Sequence, residues 1–115
     1  MQKLIIVGGK KLNGSINISG SKNATLPILA ASILSKNKVI IKNIPLVKDV
    51  ETMIDLLFIL GAETKLVKKG KRIEILNSNK LNTFVPYKLV KTMRAGILVL
   101  GPLLARYNKA KISLP

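Results

Sequence analysis

Ser19-Gly20-Ser21-Lys22-Asn23-Ala24-Thr25-Leu26-Pro27, continuing as Ile28-Leu29-Ala30-Ala31-Ser32-Ile33-Leu34, is a polar loop with one lysine that feeds an apolar, Ala/Leu-rich segment. The segment is rich in helix formers, and its proline places the helix start. Proline lacks an N–H and is tolerated in the first helical turn, where N–H groups have no helical partner. This predicts a helix beginning near Ala24 or Thr25, with Ser21, Lys22 and Asn23 just ahead of it. Free N–H groups and the positive end of the helix dipole gather there, and Lys22 adds a full charge. That is the chemistry of a phosphate or carboxylate site. It is equally the pattern of a capped helix with a surface lysine, and local sequence does not separate the two.

Working outward, Lys3-Leu4-Ile5-Ile6-Val7 is a short β run, and Ser15-Ile16-Asn17-Ile18-Ser19 alternates polar and apolar residues as a half-buried strand does. The two are expected to pair across the connection from Gly8 to Gly14. Downstream, Lys36-Asn37-Lys38 is a turn and Val39-Ile40-Ile41 a strand. Asp49 is the expected N-cap of a second helix, whose buried face is Val50, Met53, Ile54, Leu57 and Leu60, closed by Gly61. Residues 63–67 and 72–76 flank Lys68-Lys69-Gly70-Lys71 as a β-hairpin, with Ile73 and Ile75 inward and Arg72 and Glu74 outward. A polar loop over 77–83 leads to Pro86 and an expected long helix from about Tyr87 to Arg106, kinked or broken at Gly101-Pro102. A last strand is expected over 109–114.

The second polar anchor is Arg94. In a continuous helix it shares one stripe with Val90 and Ile97, spaced three and four residues apart. An arginine in an apolar stripe is paired, snorkels, or faces a cleft, where its fork suits phosphate and carboxylate. Arg106 is expected to stabilise the C-terminus of its own helix. A faint repeat is also visible: Asn37-Lys38 recurs as Asn108-Lys109, a separation of 108 − 37 = 71.

Composition bounds the function. The 115 residues suffice for one small domain, and 48% are hydrophobic, too many for a disordered chain. No uncharged run reaches the ~20 residues of a membrane span, and no signal peptide is visible, so a cytoplasmic protein is expected. With neither Cys nor His, thiolate chemistry, disulfides and a Ser-His triad are excluded, and no metal site or cofactor is expected. The formal net charge is +15, from 20 Lys plus Arg against 5 acids. The lysines are scattered and aromatics are 3%, so a base-stacking platform is missing. An anionic small molecule suits the charge. From the residues alone the chain is an anion-binding α/β domain, with a basic nucleic-acid-binding module as the alternative.

A resemblance sharpens this. Ile18-Ser19-Gly20-Ser21-Lys22-Asn23-Ala24 with Leu26-Pro27-Ile28-Leu29 resembles the N-terminal motif of the UDP-N-acetylglucosamine enolpyruvyl transferases. Asn43-Ile44-Pro45, Lys48-Asp49-Val50, Leu60-Gly61-Ala62, Pro86-Tyr87, Leu89-Val90-Lys91-Thr92-Met93-Arg94-Ala95, Leu100-Gly101-Pro102-Leu103 and Ser113-Leu114-Pro115 match in order. The sister family that makes enolpyruvyl-shikimate phosphate has a similar Gly-Ser-Lys but typically follows it with Ser, where this chain has Asn23.

The resemblance implies an α/β fold, an inside-out barrel of βαβαββ units in two domains with the site between them. It implies that residues 1–21 are a strand pair packing in the other domain, and that 22–115 are a partial enolpyruvyl transferase domain. The implied reaction moves enolpyruvyl from phosphoenolpyruvate to the 3′-hydroxyl of UDP-N-acetylglucosamine, the first committed step of peptidoglycan synthesis. By resemblance, Lys22 and Asn23 hold phosphoenolpyruvate, Lys22 is catalytic, and Arg94 contacts the sugar nucleotide. No nucleic acid or membrane partner is implied. The family continues Ser-Leu-Pro with Gly-Gly and a proton-donating Cys, none of which is present. The chain is therefore expected to be an N-terminal fragment whose partner is the missing C-terminal part of the same enzyme.

Overall fold

The computed structural model describes residues 1–69, 71–77 and 80–114. Gly70 of the expected hairpin turn, part of the expected polar loop at 78–79, and Pro115 lie outside the described residues.

The first helix, α1, spans Lys22–Ala31. It starts earlier than the proline suggests, because Ser21 organises the entry. The Ser21 hydroxyl accepts from the Ala24 N–H at 3.4 Å, and its carbonyl accepts from the Thr25 N–H at 2.9 Å and the Thr25 hydroxyl at 2.7 Å. Pro27 is consequently inside the helix, beyond its first turn. An interior proline costs about 3 kcal/mol, and burial of Leu26, Leu29 and Ala30 works against that cost. A 3₁₀ turn, Ser32–Leu34, finishes the helix.

β1 (Val39–Ile41), β2 (Glu63–Val67) and β3 (Arg72–Leu76) form an antiparallel sheet in the order β1-β3-β2. The hairpin register pairs Glu63 with Leu76 and Val67 with Arg72. Ile73 and Ile75 are fully buried, as period-two alternation requires. Arg72 and Glu74, expected outward, are half-covered; Glu74 lies 3.6 Å from the Lys38 ammonium.

Between β1 and β2 runs α2 (Lys48–Leu60). Its apolar face is buried at Val50, Met53, Ile54, Leu57 and Leu60, joined by Leu56. Gly61 closes it at φ 113°, a left-handed conformation that a side chain disfavours. Asp49 is not the N-cap. That position belongs to Val47, whose carbonyl accepts from Val50 and Glu51, and Asp49 is the second helical residue. There a carboxylate still acts favourably through the helix dipole.

The expected helix over 87–106 is divided into three segments. α3 covers Tyr87–Val90, a 3₁₀ segment covers Arg94–Val99, and α4 covers Leu100–Tyr107. The break falls at Met93, which is extended at φ −155° and ψ 111°. Gly101 and Pro102 sit harmlessly in the first turn of α4. The buried residues explain the shift: Val90, Met93, Gly96 and Val99 recur every three positions, the period of 3₁₀ rather than α geometry. A continuous helix would turn Arg94 into the core along with Val90; the three-residue period leaves it outside.

β4 (Phe84–Val85) and β5 (Lys111–Ile112) make a parallel two-stranded pair, so the last strand is shorter than expected. A shift of 71 residues carries Val39–Ile41 onto 110–112, which overlaps β5. The repeat thus survives in element order, though β1 pairs antiparallel and β5 parallel.

The strands expected over 3–7 and 15–19 do not form. Residues 1–19 are exposed throughout and carry no strand. A two-stranded ribbon is marginal in water unless one face is covered, and among the described residues nothing covers this one. The extended segment raises the radius of gyration to 17.8 Å, against about 13 Å for a compact chain of this length.

Candidate anion site at the mouths of two helices

Lys22 and Asn23 are the first two residues of α1, and both are exposed. α1 packs against α2 and against the Arg94–Val99 segment. That packing brings the N-termini of α1 and α2 together. The Lys22 ammonium donates to an Asp49 carboxylate oxygen at 3.1 Å. Roughly half of each side chain stays accessible, 47% for Lys22 and 43% for Asp49. An exposed pair of this kind is worth at most about 1 kcal/mol, so it is readily opened by an incoming anion. The backbone N–H groups of Lys22 and Asn23 have no partner among the described residues and add to the positive end of α1.

Arg94 heads the 3₁₀ segment next to α1, and it too is exposed. It forms no hydrogen bond or ion pair among the described residues. Lys22, Asn23 and Arg94 therefore sit on adjoining elements and are all accessible at the surface. A cavity of about 310 Å³ lies at the sheet edge among Lys38, Glu63, Lys65 and Glu74. Its mixed charges give an anion no net attraction. Among the described residues, no group of His, Cys, Asp and Glu could hold a metal ion.

Two features escape the sequence pattern. One is the Lys22–Asp49 contact, between residues 27 apart in the chain; each residue reads as helix-start chemistry, and only the packing of α1 on α2 joins them. The other is Arg106. It stands in the last turn of its own helix, as expected, and its guanidinium also reaches across to the end of the first, donating to the Ile33 carbonyl at 2.9 Å and the Asn77 carbonyl at 2.5 Å. Asn77, expected in a polar loop, is fully buried and donates to the Ser32 carbonyl at 2.9 Å.

With this geometry in hand, similarity to known proteins becomes informative. A family model described as EPSP synthase (3-phosphoshikimate 1-carboxyvinyltransferase) matches residues 6–115, and the chain belongs to that family. Its relatives include proteins named UDP-N-acetylglucosamine 1-carboxyvinyltransferase. That of Pelagibacter ubique is 58% identical, covering 100% of this chain and 27% of the relative. That of Coxiella burnetii is 57% identical, with 100% and 26% covered. That of Acinetobacter baylyi is 50% identical, with 100% and 27% covered. The chain thus spans about a quarter of the length of these relatives. Among solved structures, the enolpyruvyl transferase NikO from Streptomyces tendae superposes with a TM-score of 0.70 at 22% identity, covering 86% of this chain and 23% of that one. The fold is that of part of an enolpyruvyl transferase.

Proposed function

We propose that this chain belongs to an enzyme that transfers enolpyruvyl from phosphoenolpyruvate to the 3′-hydroxyl of UDP-N-acetylglucosamine, releasing phosphate. The observation that carries it is 50–58% identity over the whole chain to relatives bearing the name of that activity. The family description names the shikimate enzyme; the choice of acceptor rests on those relatives. The exposed cations on α1 and the neighbouring 3₁₀ segment suit the reaction, since both substrates are anionic, but they favour neither acceptor over the other. The reaction is set in the cytoplasm, as the first committed step of peptidoglycan synthesis. No helix among the described residues is long and apolar enough to cross a membrane.

In this proposal the sugar 3′-hydroxyl gives up its proton as its oxygen adds to C2 of phosphoenolpyruvate, while C3 takes a proton and becomes a methyl group. Loss of that proton and of phosphate from the tetrahedral intermediate restores the double bond. Lys22 and the α1 N-terminus offset charge on the phosphate as it binds and leaves, and Asn23 helps to orient it. Arg94 holds the sugar nucleotide. Residues 1–21 pack in the other domain of the complete enzyme, with residues 20–22 as the crossing point. By resemblance to the family, the proton donor is the Cys that follows Ser-Leu-Pro and Gly-Gly there; this chain contains no Cys.

The test is a complete enzyme in which this chain replaces the aligned stretch of the Pelagibacter ubique relative, assayed for phosphate release from the two substrates. Lys22→Ala is expected to lower kcat by about 10²–10³, the usual loss for one group stabilising developing charge. Near-normal turnover by that variant would remove Lys22 from the reaction.

A further inference from the structure

We propose that Asp49 is the positioning residue for Lys22, holding its ammonium at the joint mouth of α1 and α2 until the donor's phosphate takes it over. This builds on the donor-binding role proposed above for Lys22, and four observations favour it.

The contact is direct, at 3.1 Å, and links the first residue of α1 to the second of α2. The two positions are electrostatically opposite. The α2 N-terminus favours the Asp49 carboxylate, whereas the α1 N-terminus disfavours a cation at Lys22, and α1 has no acid in its first turn to offset it. Asp49 therefore supplies from α2 the counter-charge that α1 lacks. The carboxylate is also uncommitted elsewhere: it does not cap α2, whose N-cap is Val47, and its hydrogen bond among the described residues is to Lys22. Finally, the pair is half-open, with 47% and 43% of the two side chains accessible, so an anion can reach the ammonium without unpacking either helix.

A lysine has four rotatable side-chain bonds, and confinement of the free ammonium removes a search that each turnover would otherwise repeat. A carboxylate alongside also competes with the phosphate. It weakens ground-state binding of the donor and eases phosphate departure, so its removal acts on kcat rather than raising KM.

In the complete enzyme described above, Asp49→Asn is expected to lower kcat by about three- to fivefold, the most an exposed pair can contribute, while KM for phosphoenolpyruvate stays level or falls. Asp49→Glu, which restores the carboxylate, recovers most of the loss. On a Lys22→Ala background, Asp49→Asn adds no further loss, because the residue acts through Lys22. Melting followed by circular dichroism serves as the folding control, with Asp49→Asn expected to unfold cooperatively close to the parent. The proposal is overturned by a kcat within about twofold of the parent, by a rise in KM alone, by Glu doing no better than Asn, or by losses that multiply with Lys22→Ala. Should Lys22→Ala itself turn over normally, the donor-binding role fails and this one with it. A Lys22→Ala loss without an Asp49→Asn loss sinks the Asp49 role alone.

Discussion

Arg106 and Lys22 are both cations at helix ends, yet they have opposite characters. Arg106 is half-buried, donates to two carbonyls, and lies over the Tyr107 ring at 5.1 Å. Its two carbonyl acceptors come from the end of the first helical segment and from the chain after β3. Arg106→Lys keeps the charge but loses the fork that reaches both acceptors. We expect it to cost about 1–3 kcal/mol, the penalty for leaving partly buried acceptors unpaired. Urea unfolding of the complete enzyme checks this, and an unchanged midpoint would show that water replaces the guanidinium. Lys22, by contrast, is half-open and paired to one exposed carboxylate, so its replacement should affect turnover more than stability. The sequence pattern separates the two only partly. Lys22 and Asn23 stand out because a polar loop meets an apolar helix there. Arg94 stands out as a lone charge in an apolar run. The hydrogen-bond partners of Lys22 and Arg106 are invisible, because each lies on a different element.

At the scale of elements, the clear successes are α2 and the β2–β3 hairpin. Both are written in local terms: an apolar stripe of period 3.6 ended by Gly61, and two strands of alternating residues around a lysine-rich turn. The errors have different causes: a competing local cap at α1, and tertiary burial over residues 87–106. Pro27 signals a first turn, but Ser21 caps the helix six residues before it. Residues 87–106 read as a single helix, but burial every third residue splits them at Met93. A sharper test of context lies at Gly20, where the chain crosses the turn before α2. A Cβ added there would lie 1.9 Å from the Asn43 carbonyl oxygen, an impossible approach to backbone. The Asn43 amide nitrogen also donates to the Ile18 carbonyl at 3.2 Å, which pins the crossing from the other side. Gly20→Ala must push the two segments apart, at about 1–3 kcal/mol by analogy with overpacked cores. Gly96→Ala is the control, because its added Cβ would meet Leu56 at 3.8 Å, an ordinary contact. Thermal melts should show a drop for Gly20→Ala and little change for Gly96→Ala. Equal behaviour of the two would mean that the crossing is loose.

The molecule as a whole joins a packed body, formed by the described residues from 22 onward, to an exposed leading segment. Leu4, Ile5, Ile6 and Val7 are 84%, 72%, 80% and 92% accessible. This is a β-prone apolar run with unpaired backbone, the kind that adds to another chain's strand edge. Opposing that is the formal charge of +15, which makes each copy repel the next. Which force wins depends on salt. The repulsion reaches over about 10 Å at 0.1 M salt and about 3 Å at 1 M, whereas apolar burial is not screened. The 115-residue polypeptide by itself is therefore expected to sediment as small species at low salt and to associate as salt rises. Removal of residues 1–18, or the pair Ile5→Lys and Val7→Lys, should abolish the salt-driven step while leaving the helical circular dichroism signal in place. If the apolar run instead finds cover against the same chain, the unsubstituted polypeptide will stay monomeric at 1 M salt. If the complete enzyme is built as proposed, with this run packed in the other domain, the deletion and the paired substitution will both lower its melting temperature instead of improving its behaviour.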